Sequence, residues 1–161
     1  MKAVIDASPL IFLTKLERLD VLRQYEAIFA PPEVITELER GREAGHPEAL
    51  EIRSRLDCGT IKIRKGGKIR SEWNLHQGEA AVIALAAKVR ADEVIMDDRA
   101  AIAVARYLGL RPVSVPFLLL RERRSGRMSR ELFDTTLRRL LAAGYYLSPE
   151  LHQRLVEAGS E

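Results

Sequence analysis

Short, mostly apolar runs alternate along this chain with longer stretches of mixed character. The runs "KAVID" (2–6), "AIFAP" (27–31), "EVIMD" (93–97) and "RPVSV" (111–115) read as strands, with Val94, Ile95 and Met96 a buried one. "TIKIRK" (60–65) alternates apolar and basic residues instead, as an exposed or edge strand does. Between them lie helical patterns. "SPLIFLTKL" (8–16) begins with Ser8 as a potential cap and Pro9 in its first turn. "LDVLRQY" (19–25) reads as a second short helix, and "PEVITELERG" (32–41) as a helix from Pro32 to Gly41. "HPEALEIRSRL" (46–56) follows. "QGEAAVIALAAKVRA" (77–91) is the clearest helix, with an apolar face at Ala81, Ile83, Ala84 and Ala87. "RAAIAVARYLGL" (99–110) joins the last two strands. From about residue 116 the chain is helical throughout: 116–126, 129–144 and 148–159, the last with Ser148 as its cap.

Strands alternating with helices predict an α/β fold with a central parallel sheet and helices on both faces. The 161 residues suit one domain with one core, so residues 1–161 are read as a single unit. No apolar run reaches the roughly 18 residues of a membrane span, so no membrane association is expected. The start "MKAVIDASPL" lacks the apolar centre of a signal peptide. Cys58 is the only cysteine, which excludes an internal disulfide and fits a cytoplasmic location. The net charge of +3 permits a polyanionic partner without requiring one.

The chemistry lies in the acids. Parallel sheets bind ligands beyond the carboxyl ends of their strands, where strand order reverses. Asp6 ends the first strand, and Asp97 and Asp98 end the "VIM" strand. If those strands are neighbours, three carboxylates meet at one edge. Glu79, just inside the helix before "VIMDD", and Glu37, in the helix after the second strand, are placed to lean over it. Such a cluster repels itself, and burial of any unpaired member costs several kcal/mol. A divalent cation removes the conflict: Mg²⁺ or Mn²⁺ takes oxygen ligands, often one or two carboxylates with waters and substrate phosphates. A glycine-rich dinucleotide turn is absent after the first strand, where "DASPL" stands. An aspartate-nucleophile phosphatase would want an acid at position 8, and a phospho-receiver would want paired acids after the first strand. Ser8 and the solitary Asp6 exclude these.

In order, "VIDASPLI", "PPEVITEL", "GEAAVIALA" and "VIMDDRAAIAVARYLGL" resemble the PIN-domain family, in particular its branch of nucleic-acid-binding proteins related to VapC toxins. The likeness runs through nearly the whole chain, including "YYLSPELHQRLVEAG". It implies a three-layer PIN-like fold and a Mg²⁺- or Mn²⁺-dependent ribonuclease. Asp6, Glu37, Glu79 and Asp98 take the four acidic positions. Asp6, Glu79 and Asp98, with Asp97, are the implied metal ligands, and Ser8 is a candidate substrate contact. The resemblance also implies an RNA substrate, a cognate antitoxin, a homodimer and the toxin half of a toxin–antitoxin pair. This chain departs from the pattern at Met96, where the family commonly has a threonine, and at Ser114 and Pro116, where the branch often has glycines. The other reading is a PIN-fold module that binds RNA or a protein without cutting. Two basic clusters, Lys62 to Arg70 and Arg121 to Arg130, are candidate phosphate tracks. Trp73 is a candidate base-stacking residue, though a packed aromatic is the simpler reading, and His76 a candidate proton shuttle that such chemistry does not need.

Overall fold

In a computed structural model, which describes residues 1–57 and 59–161, five short strands form one parallel sheet. They are β1 (Lys2–Ile5), β2 (Ala27–Ala30), β3 (Ile61–Ile63), β4 (Glu93–Ile95) and β5 (Pro112–Val113). Eight α-helices accompany them: α1 (Ala7–Lys15), α2 (Pro32–Glu43), α3 (Glu48–Asp57), α4 (Gln77–Val89), α5 (Arg99–Tyr107), α6 (Val115–Arg124), α7 (Arg130–Ala142) and α8 (Pro149–Ser160). Leu19–Gln24 and Ser71–Trp73 are short 3₁₀ segments, so the second predicted helix is of the tighter kind. Cys58 lies outside the described residues.

The strand order is β3-β2-β1-β4-β5, all parallel. The chain lays down β1, β2 and β3 outward in one direction, then returns past β1 to add β4 and β5 on the other side. Order therefore reverses between β1 and β4, and a ligand crevice is expected beyond their carboxyl ends. In β1, Ala3, Val4 and Ile5 are all buried, and so are all three residues of β4. Successive side chains point to opposite faces of a sheet, so both faces are covered. β3 has only Ile61 buried and stands at the edge, as its alternation predicted. Pro112 is tolerated in β5 because that strand is the other edge.

α4 is the central helix. Ala80 through Ala86 are buried without a break, because α4 packs on β1, β4, α2 and α5 together. Small side chains permit this, and the segment after β3 exploits it. A methyl on Gly66 would stand 3.1 Å from the backbone nitrogen of Leu85 and 3.2 Å from the carbonyl oxygen of Ala81.

Several local expectations change. Ser8 does not cap α1; Asp6 does, accepting a hydrogen bond from the Ala7 N–H at 2.8 Å, because the helix starts one residue earlier. Gly41 does not end α2. The helix continues to Glu43, and Gly45, with φ of 87°, supplies the left-handed turn after it. Ala87 lies on the exposed side of α4, not on its apolar face. The caps by Asp98 on α5 and Ser148 on α8 form, with bonds from the N–H groups of Ala101 (2.9 Å) and Leu151 (3.2 Å).

Candidate active site

The reversal between β1 and β4 opens into a cleft of about 900 Å³. Its position follows from the ladder. The backbone N–H of Asp6 donates to the carbonyl of Ile95 at 3.0 Å, so pairing with β4 runs one residue past the end of β1. Met96, fully buried, donates to Val113 at 3.1 Å and continues β4 toward β5. The next two residues, Asp97 and Asp98, then emerge beside Asp6. All five predicted acids line this cleft: Asp6, Glu37, Glu79, Asp97 and Asp98. Ser8 lines it too. None of the ion pairs formed by the described residues involves any of the five acids.

Asp6 is 5% exposed. Burial raises its pKa from 3.8 to about 7; the Ala7 N–H opposes this, and the charges of Glu37, Glu79 and Asp97 add to it. Glu79 sits in the first turn of α4, and its Oε2 accepts from the backbone N–H of His76 at 3.2 Å. Its pKa is raised, first by burial and then by the charge of Asp98, against that hydrogen bond. Glu37 reaches over from α2. Its Oε2 lies so near the start of α4 that a methyl on Gly78 would stand 3.2 Å from it. Glycine there lets the carboxylate approach the helix end.

Asp97 and Asp98 differ in surroundings, as neighbours leaving a strand should. Asp97 Oδ1 accepts from the Val115 N–H at 3.0 Å and from the Tyr145 hydroxyl at 2.7 Å. Its Oδ2 is buried with no hydrogen-bond partner. Burial raises the Asp97 pKa to about 6, although both donors lower it. Asp98 is exposed, and its Oδ1 caps α5. Two adjacent carboxylates are therefore held by different means: one by a tyrosine hydroxyl and an amide, the other by a helix end.

A divalent ion matches this arrangement in donor type. The donors are all hard oxygens, three of the carboxylates (Asp6, Glu79 and Asp97) resist ionisation, and one buried oxygen lacks any partner. No three His, Cys, Asp or Glu side chains among the described residues converge into a ready cage.

Other expectations are redistributed. The second basic cluster is engaged internally. Arg121 pairs with Glu93, Arg124 with Glu161, Arg127 with Glu122 and Arg130 with Asp134, while Arg123 donates to the carbonyl of Gly159. Trp73 is half-buried and packs against the core, outside the cleft. His76 lines the cleft and precedes α4. Among the further cleft residues, Tyr145 and Tyr146 lie in the matched tail without having been given a site role, and Arg40 lies outside the motifs. The paired aromatics just after Gly144 were the available signal for the first two; Arg40 carried none, being one arginine among many on a polar helix.

With this geometry in place, the family is settled. A family model described as a PIN domain (DUF3368) matches residues 2–161, and the chain belongs to the PIN-domain family. Proteins of this family are commonly metal-dependent nucleases. Among curated proteins none matches. A domain of a functionally unknown protein from Methanocaldococcus jannaschii DSM 2661 has a similar fold, with a TM-score of 0.50 at 16% identity, over 70% of this chain and 89% of that one. A PilT N-terminus domain protein, SSO1118, from the hyperthermophilic archaeon Sulfolobus solfataricus P2 aligns with a TM-score of 0.49 at 22% identity, over 85% of this chain and 94% of that one.

Proposed function

We propose that this protein is a ribonuclease that hydrolyses phosphodiester bonds with Mg²⁺ or Mn²⁺. The observation that carries the proposal is the unpartnered, buried Oδ2 of Asp97 in a cleft with four further carboxylates and no ion pair among them. Of Asp6, Glu79, Asp97 and Asp98, one or two would hold the ion directly and the others would act through its waters. When bound, it supplies neutralising charge, polarisation of a phosphoryl oxygen and an acidified water. The chain's own groups do the rest. Tyr145 and the Val115 N–H orient the Asp97 carboxylate. Glu37, exposed on α2 and set against Gly78, is placed to accept a proton from the attacking water. Arg40 and Arg99 on the rim supply positive charge toward a phosphate backbone.

The narrower form of the proposal follows from the motifs: a VapC-like toxin, cytoplasmic and homodimeric, held in check by a cognate antitoxin. No helix of the described residues is long and apolar enough to cross a membrane. A second reading has its own support. Glu79 and Asp98 each direct one carboxylate oxygen to a helix end, which a non-catalytic PIN module would also need.

One experiment separates the two. Purified protein is incubated with a labelled single-stranded RNA and Mn²⁺, with chelator as the control. The nuclease reading expects cleavage that stops with chelator and in Asp6→Asn. Asp97→Asn and Asp98→Asn are compared at saturating Mn²⁺; the motif register expects the larger loss in Asp98→Asn. RNA binding without any cleavage by the wild type would favour the module.

A further inference from the structure

The turn between α7 and α8 holds an aromatic side chain that neither the core nor the carboxylate cluster uses. After α7, Gly144 adopts φ of 94° and the chain turns into Tyr145 and Tyr146. The two tyrosines part. Tyr145 turns inward, donates to Asp97, and meets the Phe12 ring edge-on with centroids 5.1 Å apart. Tyr146 stays 70% exposed at the mouth of the cleft. An exposed aromatic ring normally lies loose on the surface. This one is tethered: its neighbour is bonded into the acidic floor, and the Arg99 guanidinium lies 5.1 Å from its centroid.

Arg99 is the first residue of α5, immediately after Asp98. It is exposed, and none of the ion pairs among the described residues involves it. Its charge therefore remains available to an anion while its plane covers the tyrosine. A cation-backed ring beside a phosphate-directed cleft has two complementary capacities. The open face of the ring can stack a planar base, and the guanidinium can meet the adjoining phosphate. A single strand offers both groups at one nucleotide spacing; a duplex hides its base faces.

We infer that Tyr146 and Arg99 form a base-stacking subsite that seats one unpaired nucleotide of single-stranded RNA next to the carboxylate cluster. This rests on the nuclease reading for its substrate, but it concerns binding and not hydrolysis. Stacking accepts any base, so the subsite selects for an unpaired base over none and contributes little sequence preference.

The test measures binding by fluorescence anisotropy in chelator, where no metal-dependent cleavage occurs. The probes are a short labelled single-stranded RNA and the same strand with abasic nucleotides. Wild type should bind the base-bearing strand roughly five- to hundred-fold more tightly than the abasic one. Tyr146→Ala should lose that preference with its melting temperature unchanged, and Tyr146→Phe should keep it, since only the ring is needed. Arg99→Gln should weaken both strands and lower the salt dependence by about one phosphate contact. The inference is overturned if wild type does not distinguish the strands, if it binds neither, or if Tyr146→Ala retains the distinction. Cleavage in Mn²⁺ is scored separately. A wild type that stacks RNA but never cuts it refutes the nuclease reading and leaves the subsite standing.

Discussion

Asp6 carries two duties on one carboxylate. It caps α1 through the Ala7 N–H, and it lies buried among other acids. Its pKa of about 7, against an ordinary 3.8, means the native state holds a proton more tightly than the unfolded chain does. The stability gained from that proton is complete below about pH 4, fades as pH rises toward 7, and is gone above it. The ceiling of the effect is roughly 4 kcal/mol. In Asp6→Asn the side-chain oxygen still accepts from Ala7, and nothing ionises. Without metal, the wild type should lose melting temperature between pH 5 and 8, and Asp6→Asn should lose less and be the more stable of the two at pH 8. Added Mn²⁺ should raise the wild type at pH 8 and leave Asp6→Asn much less affected, because a ligand that binds only the native state stabilises it by mass action. Calorimetry across this pH range checks both. A Tm for Asp6→Asn below that of the wild type at pH 8 would show that capping dominates.

At the scale of the element, helix starts carry the site. α1 and α5 begin at the carboxyl ends of β1 and β4, α4 begins beside the same cleft, and each has an acid at its start: Asp6 and Asp98 as caps, Glu79 in the first turn. Backbone N–H groups and the helix dipole make these positions favourable for negative charge. The same placement aims three carboxylates at one cleft. Capping and chemistry can be told apart at Asp98 by a pair of substitutions. Asp98→Asn keeps an oxygen for the Ala101 N–H, whereas Asp98→Ala does not. Thermal unfolding should show Asp98→Asn near wild type and Asp98→Ala lower by about 1 kcal/mol. Metal-dependent cleavage should be lost in both. Cleavage surviving in Asp98→Asn would assign the residue to the cap alone. α4 and α5 were legible from their alanine-rich patterns. The cap of α1 was not, since "DASP" offers two competent caps and the choice depends on where the sheet releases the chain.

Across the whole molecule, the end of β4 opposite the cleft is locked by a buried network. Glu93, 1% exposed, takes bonds of 2.9 and 3.0 Å from Arg121 of α6, and the Tyr25 hydroxyl also donates to it. Burial raises the Glu93 pKa, but the hydrogen bonds of Arg121 and Tyr25 and the charges of Arg121 and Arg111 outweigh it, and the net shift is downward. The network ties the helical tail to the sheet. Arg121→Met leaves a buried carboxylate without its main partner and should cost about 3–5 kcal/mol of stability by chemical denaturation. Mn²⁺ affinity of the folded protein should not change, because Glu93 begins the strand whose far end leads to Asp97 and Asp98. A parallel fall in metal affinity would mean that the two ends of β4 are coupled.

What the sequence determined by itself is local. Apolar runs defined the strands, alternation marked β3 as an edge, and turn and cap residues marked most helix ends. Asp6, Asp97 and Asp98 were readable as strand-end acids because strand length is set by side-chain pattern. Tertiary structure alone decided which strands pair. Val4 and Val94 lie side by side through backbone hydrogen bonds, which leave no mark on side-chain choice. It also decided that Glu37 meets Gly78, that Tyr145 reaches back to Asp97, and that the arginines from 121 to 130 hold the tail together. An arginine carries the same charge whether it faces a phosphate or a glutamate, and only the folded chain brings one of them within reach.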